Sequence, residues 1–200
     1  MSRRPTTIAR ARKIKLLLLD VDGVMTDGSI WLFPAPGGAT QSLARAAAER
    51  ADAGGFAISS KTMVEAKGFH AHDGTAVTLA RLGGIKTGII TKRISETVAL
   101  RARDLCLDHV HQGAADKLAA LDSILKAENL KDSEAAYLGD DIIDLPVMGR
   151  CGLAIAVANA RPEVRQAAHW VTPHRGGDGA VRDAVEYILR AQGKWKKVFD

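Results

Sequence analysis

Two groups of carboxylates stand where their spacing points to chemistry. Asp20 and Asp22 close the run Ile14-Lys15-Leu16-Leu17-Leu18-Leu19-Asp20-Val21-Asp22-Gly23. Alternate residues of extended chain project to one side, so the two carboxylates face the same way. Held side by side they repel, and a divalent cation is the usual reason to keep both ionised. The second group, Gly139-Asp140-Asp141-Ile142-Ile143-Asp144, follows an apolar stretch and poses the same electrostatic problem. Thr91 closes another apolar stretch, where its hydroxyl and nearby amides suit an oxyanion. Lys117 opens a helix after a Gly-Ala-Ala-Asp turn, where an ammonium can neutralise a phosphoryl group. Each has a plainer reading when taken singly. Asp-Val-Asp-Gly suits a strand running into a turn, Thr91 a strand end, and Lys117 a solvated helix face.

The elements that must position these residues follow from the pattern. Four consecutive leucines between basic and acidic flanks read as a fully buried parallel strand, about 14–19. Further strands are expected over 29–33, 56–58 with an extension at 62–67, 85–91, 109–111, 135–138, 152–157 and 170–172. Helices are expected over 75–82, 95–105 with Ser95 as N-cap, 116–128, 162–168 and 180–191. Such alternation implies a parallel sheet wound with helices, and open sheets of this kind carry their chemistry at the carboxyl edge. Residues 42–53 suggest one short, alanine-rich helix within an excursion over 34–55. The glycines Gly176, Gly177 and Gly179 suit either a flexible flap or a simple helix-start loop.

Composition narrows the class. The chain has 200 residues, 46% of them hydrophobic and 26% charged, enough for one domain with a substantial core. No apolar run approaches the ~20 residues of a membrane span, and the Leu16–Leu19 run is too short for a signal-peptide core, so a cytoplasmic protein is expected. The net charge of +5 is concentrated at the two ends, in Arg3, Arg4, Arg10, Arg12, Lys13 and Lys15 and in Lys194, Lys196 and Lys197. Aromatics are only 4%, too few to interleave with a nucleic-acid-binding face. Both ends read as solvated tails, and an anionic small molecule as the better partner. Cys106 and Cys151 lack metal-ligand spacing and are expected as buried free thiols. The pairs His70/His72 and His109/His111 suit polar strand-edge positions better than a transition metal, and no zinc spacing is present.

In its order of motifs the chain resembles the haloacid dehalogenase superfamily: an Asp-x-Asp loop, a Thr or Ser after the second motif strand, a Lys, and a Gly-Asp-Asp-x-x-Asp loop. Here these are Asp20/Asp22, Thr91, Lys117 and Asp140/Asp141/Asp144, and the resemblance spans roughly residues 14–195. Within that superfamily the chain is most similar to the 3-deoxy-D-manno-octulosonate 8-phosphate phosphatases. The stretches that carry this are 20–28, Lys67-Gly-Phe-His70 with Asp73-Gly74, Ile89-Ile-Thr91, His111-Gln-Gly113, 117–121, 139–148, Gly176-Gly-Asp-Gly-Ala-Val-Arg182 and 188–193.

The resemblance implies a Rossmann-like α/β fold, a parallel sheet flanked by helices, with no separate cap domain and a hairpin-type excursion after the first strand. It implies one domain over 14–195, with 1–13 a disordered basic tail and 196–200 a second tail, assembled as a homotetramer. It also implies a Mg²⁺-dependent phosphatase of a small phosphorylated sugar acid, with no nucleic-acid or membrane partner. Asp20 would be the nucleophile and Asp22 the acid and base. Asp20, Asp22 through its carbonyl, and Asp140 would hold the metal, while Thr91 and Lys117 would bind the phosphoryl oxygens. Asp141 and Asp144 would orient Lys117 or metal-bound water.

Arg93 and Arg182 are the candidates for a substrate carboxylate, with a surface role as the alternative. Two departures stand out: Thr91-Lys92-Arg93 replaces the family's Thr-Gly-Arg, and the hairpin is lengthened over 34–55. Rival readings are a phosphatase of a nonulosonate 9-phosphate or another sugar phosphate, and a non-catalytic oligomerisation module.

Overall fold

The structure, a computed structural model, describes residues 5–35, 56–57 and 63–199. Expectations for residues 1–4, 36–55 and 58–62, including the helix over 42–53, lie outside the described residues. Strand β1 (Leu16–Leu19) is buried along its whole length. It runs between β5 (Lys86–Ile90) and β8 (Ala135–Gly139), parallel to both, with Leu19 opposite Ile89 on one side and Leu138 on the other. Beyond β5 lies β7 (His109–His111); beyond β8 lie β9 (Leu153–Ala156) and β10 (Trp170–Val171). The six-stranded order β10-β9-β8-β1-β5-β7 is parallel throughout, as the α/β reading expects. The chain leaves β1 toward β5 and later returns to the opposite side at β8, so β1 lies at the topological switch where open sheets bind ligands.

Helices α2 (Ala71–Leu82), α3 (Glu96–Asp104), α4 (Lys117–Glu128), α5 (Leu145–Arg150), α6 (Pro162–Ala167) and α7 (Ala180–Ala191) cover the sheet. In α7, Val181, Ala184, Val185, Ile188 and Leu189 recur at helical spacing and are buried, while Glu186 and Arg190 stay on the outer side. Helix α4 starts where Asp116 Oδ1 accepts from the Leu118 and Ala119 amides, and it ends at Asn129 with φ of 52°. Ser95 caps α3 as expected, its hydroxyl accepting from the Val98 amide.

Helix α2 begins four residues before the expected 75. Its first-turn Asp73 turns inward and accepts from the Arg182 and Gly179 amides at 2.9 and 3.3 Å, capping the start of α7. A second layer after β1 pairs β2 (Trp31–Pro34) antiparallel with β4 (Met63–Ala66), the expected hairpin. The two-residue strands β3 (Phe56–Ala57) and β6 (Arg93–Ile94) pair in parallel.

Three expectations are corrected. The amino-terminal stretch is not wholly a disordered tail: helix α1 (Thr7–Ala11) forms from Thr6, and Gln192 Nε2 donates to the Ala11 and Ile14 carbonyls. At the other end Trp195 packs under the Arg182 and Arg190 guanidinium groups and against Phe199, so the described part of 196–200 is tied down by ring contacts. Cys151 is buried and free, but Cys106 is exposed, in the turn after α3, where it stands at positive φ. Among the described residues no helix is long and apolar enough to cross a membrane.

The 175–179 loop is clamped and is no flap. Gly177 donates to the Val24 carbonyl at 2.9 Å and Gly176 to Asn159 Oδ1 at 2.8 Å. A Cβ on Gly176 would lie 1.6 Å from the Gly23 carbonyl oxygen, so only glycine permits this approach to the Asp20–Asp22 loop. Gly176→Ala is expected to destabilise the fold by about 2 kcal/mol or more, read as a fall of roughly 5 °C in Tm. Gly149→Ala is the control. A Cβ there meets nothing within 4 Å, and the helix should gain about 0.5 kcal/mol.

Candidate active site

The registers of β1, β5 and β8 bring Asp20, Thr91 and Asp140 within one residue of a common level at the carboxyl edge of the sheet. Asp20 donates its amide to the Leu138 carbonyl at 3.0 Å, which fixes the start of its loop. Lys117 enters from the first turn of α4, its ammonium buried 2.7 Å from Asp144 Oδ1, 3.1 Å from Asp20 Oδ1 and 3.1 Å from the Tyr137 hydroxyl. Asp144 closes the far side. Its Oδ2 accepts from the Asp140 and Asp141 amides at 3.0 and 3.2 Å, and its Oδ1 lies 2.9 Å from the Tyr137 oxygen. Glycine is required at two points: a Cβ on Gly139 would lie 2.6 Å from Asp144 Oδ2, and one on Gly23, at φ of +89°, would lie 2.2 Å from Asp140 Oδ2.

Asp20, Asp140 and Asp144 converge closely enough for one oxygen of each to share a cation. Asp144 has its oxygens engaged by Lys117, Tyr137 and two amides. Asp140 Oδ1 is buried with no hydrogen bond, and Asp20 Oδ1 is buried with only the Lys117 ammonium beside it. Burial first, and then the charge of Asp144, pushes the Asp20 carboxyl up to about 7, against the pull of Lys117. Asp140 is pushed up to about 8 by burial and then by Asp20, Asp144 and Asp141. Burial opposes the charge on Lys117, but Asp20 and Asp144 outweigh it and hold its pKa above the ordinary value. An unpartnered Asp140 oxygen, an Asp20 oxygen met only by Lys117, and an excess of buried negative charge fit a hard divalent cation on Asp20 and Asp140.

The remaining expected residues divide. Thr91 is buried at the same edge, but its amide donates to the His111 carbonyl at 2.9 Å, which leaves the hydroxyl as its contribution to an oxyanion. Asp22 is half-buried. Its Oδ2 accepts from Arg93 Nε at 3.1 Å and its Oδ1 from Lys67 Nζ at 2.5 Å. Arg93 therefore stands in the site, while the Arg182 guanidinium does not. It pairs with Glu186 at 2.6 Å and lies over Trp195, and only the Arg182 amide serves, on Asp73. The α7 salt bridge engages the Arg182 side chain, so a role toward a substrate carboxylate would require it to leave Glu186.

Lys92 lines a pocket of about 210 Å³ beside Lys117, with Ala114, Asp116, Ile143 and Pro146. The larger groove, about 830 Å³, lies at the opposite edge of the sheet among Arg12, Lys13, Lys15, Lys131 and Lys194, away from all these carboxylates. Among the described residues the histidine pairs build no metal site with the acids, and His70 and His72 stand at the start of α2 and not on a strand edge. His109 pairs with Glu128 at 2.9 Å, and His70 meets His72 edge-on.

Two side chains beside the candidate catalytic residues were given no role from the sequence. Tyr137 is an aromatic in a buried strand whose hydroxyl ties Lys117 to Asp144; a lone polar-tipped ring in Ala-Ala-Tyr-Leu-Gly was the only hint. Lys67 was visible only as part of a motif.

A family model for haloacid dehalogenase-like hydrolases matches residues 86–183. A 3-deoxy-D-manno-octulosonate 8-phosphate phosphatase of Yersinia pestis is 37% identical over 187 residues, 94% of this chain and 86% of that protein. This chain belongs to the haloacid dehalogenase-like hydrolases. Its fold is that of solved members. One is the 3-deoxy-D-manno-octulosonate 8-phosphate phosphatase of Moraxella catarrhalis in complex with a magnesium ion, a phosphate ion and KDO. It has a TM-score of 0.79 and 32% identity, covering 96% of this chain and 95% of that one. Another is the cobalt-bound phosphatase of Haemophilus influenzae, with a TM-score of 0.76 and 29% identity, covering 95% and 98%.

The raised carboxyls set a pH dependence. Asp20 and Asp140 bind their protons more tightly folded than at their ordinary value of 3.8. The metal-free fold therefore loses stability as pH rises from about 4 through about 8, and a cation that needs both ionised meets more competition as pH falls through that window. Mg²⁺ affinity, measured by calorimetry on the metal-free chain, should weaken at least about tenfold from pH 8 to pH 6. A pH-independent affinity would remove these two carboxylates as ligands.

Proposed function

We propose that this chain is a Mg²⁺-dependent phosphatase of a small phosphorylated sugar acid, with 3-deoxy-D-manno-octulosonate 8-phosphate as the leading substrate. The observation that supports it most is the buried arrangement of Asp20, Lys117 and Asp144 beside Asp140, with Asp22 two residues from Asp20. A scaffold has no use for a cluster of buried carboxylates with an unpartnered oxygen on Asp140, which argues against a non-catalytic oligomerisation module. The named substrate of the relatives supports the choice of sugar acid.

Phosphomonoester hydrolysis is among the slowest uncatalysed reactions, and a carboxylate nucleophile divides it into two easier steps. Asp20 attacks phosphorus, the bond from phosphorus to the sugar oxygen breaks, and Asp22 gives its proton to that oxygen. Water then attacks the aspartyl phosphate, Asp22 takes a proton back, and Asp20 is released with inorganic phosphate. Lys117 and the Thr91 hydroxyl hold phosphoryl oxygens that gain charge in both steps. Asp144 and Tyr137 hold Lys117 in place. Mg²⁺, held by Asp20, the Asp22 carbonyl and Asp140, supplies charge neutralisation when bound. Arg93, on Asp22, and Lys92, lining the small pocket beside Lys117, are the cations assigned to a sugar-acid carboxylate in this reading.

The exposed Ile30, Trp31, Leu32 and Phe33 near and on β2 support assembly through the hairpin, and a homotetramer is the expected state. Sedimentation showing a monomer at micromolar concentration would exclude that assembly.

Phosphate release from a panel of sugar phosphates, with Mg²⁺ and then with EDTA, tests the function. The octulosonate 8-phosphate is expected to turn over selectively and only with metal. Preference for a nonulosonate 9-phosphate would keep the chemistry and move the substrate. Asp20→Asn should lower kcat by at least about 10³-fold while the protein still melts cooperatively. Substantial residual turnover would remove Asp20 as nucleophile.

A further inference from the structure

Lys67 follows β4, and its side chain is completely withdrawn from solvent. An ammonium is retained in such a place only when counter-charges meet it. Here two do: Asp22 Oδ1 at 2.5 Å and Glu65 Oε1 at 3.6 Å. Glu65 is itself fastened to the start of α3. Its Oε1 accepts from the Ser95 hydroxyl at 2.6 Å, and its carbonyl accepts from the Thr97 hydroxyl at 3.1 Å. The end of β4 is thus latched to α3, and Lys67 is carried to a fixed point over the Asp20–Asp22 loop. The second oxygen of Asp22, Oδ2, faces Arg93 at 3.1 Å. Lys67 and Arg93 consequently differ in kind, one sealed inside the protein and the other partly open to solvent.

We infer that Lys67 is a positioning residue for Asp22, anchoring Oδ1 so that Oδ2 is presented to the ester oxygen of the bound substrate. The inference rests on the reading of Asp22 as the group that handles the leaving-group proton, and it adds the element that aims it. A half-buried aspartate on a loop can turn about two side-chain bonds, and misplacing a proton donor by about 1 Å is enough to lose rate. A cation locked to the hairpin removes that freedom. It also makes the hairpin, outside the central sheet, a structural part of the chemistry.

The test compares two esters that differ in their need for a proton. An aliphatic sugar phosphate leaves as an alkoxide and depends on proton donation, whereas p-nitrophenyl phosphate leaves as a stable phenolate. In the full chain with Mg²⁺, Lys67→Gln is expected to lower kcat on the sugar phosphate at least about 30-fold, with KM within about threefold, while p-nitrophenyl phosphate loses less than about threefold. Lys67→Arg, which keeps the charge at a changed reach, should recover part of the loss. It carries the same comparison if the glutamine variant does not fold. Equal losses on both esters would show that Lys67 merely supports the fold, and no loss on either would show that it does not aim Asp22. Either result overturns the inference. A wild-type chain that hydrolyses neither ester with Mg²⁺ would fell the phosphatase reading itself and this inference with it, so the two failures are distinguishable.

Discussion

Lys117 lies buried between Asp20 and Asp144, and the geometry of the site is built around that ammonium. A lone buried lysine would discharge, and two unpartnered carboxylates would take up protons. At the carboxyl edge of the parallel sheet the two carboxylates hold the Lys117 pKa above its ordinary value, while burial still leaves Asp20 raised to about 7. The requirement propagates outward. Tyr137 stands inside β8 with its hydroxyl on the pair, the Asp140 and Asp141 amides turn back onto Asp144, and Gly139 leaves space for the Asp144 carboxylate. The negative charge in excess of what Lys117 can neutralise falls on Asp20 and Asp140, which is the ground for proposing a divalent cation between them.

Around this centre the protein closes the site with backbone as much as with side chains. The 175–179 loop approaches the Asp20–Asp22 loop at distances that only glycine allows, and Asp73 fastens that loop to α2 through the start of α7. The hairpin of β2 and β4 approaches from the other direction and is held by Glu65 on Ser95. Asp22 therefore sits where loop, hairpin and the β6 turn meet, with a cation from each of the last two.

Much of this was legible. Four leucines followed by Asp-Val-Asp identify a buried strand and a carboxylate-bearing loop, because periodicity and charge report burial directly. Asp116, Ser95 and Gly139 were readable as a helix start, a cap and a strand end for equally local reasons. The partners of Arg182 were not legible, because a guanidinium has no local signature of its partner. Glu186, one helical turn on, and Trp195, beyond the end of α7, claim it. The start of α2 was missed for the same reason, since Asp73 finds its partners more than a hundred residues away.

The sequence by itself determined the fold class and the order of strands and helices, and by its family resemblance it singled out Asp20, Asp22, Thr91, Lys117 and Asp140, which the structure sets at one edge of the sheet. Those follow from short-range patterning and from motif spacing, both written in consecutive residues. Only the tertiary structure decided which lysine faces which carboxylate, that Tyr137 joins the centre, and that Lys67 is sealed against Asp22. These pairings depend on which elements the sheet order and the hairpin bring side by side, and ion pairing has no sequence period to reveal it.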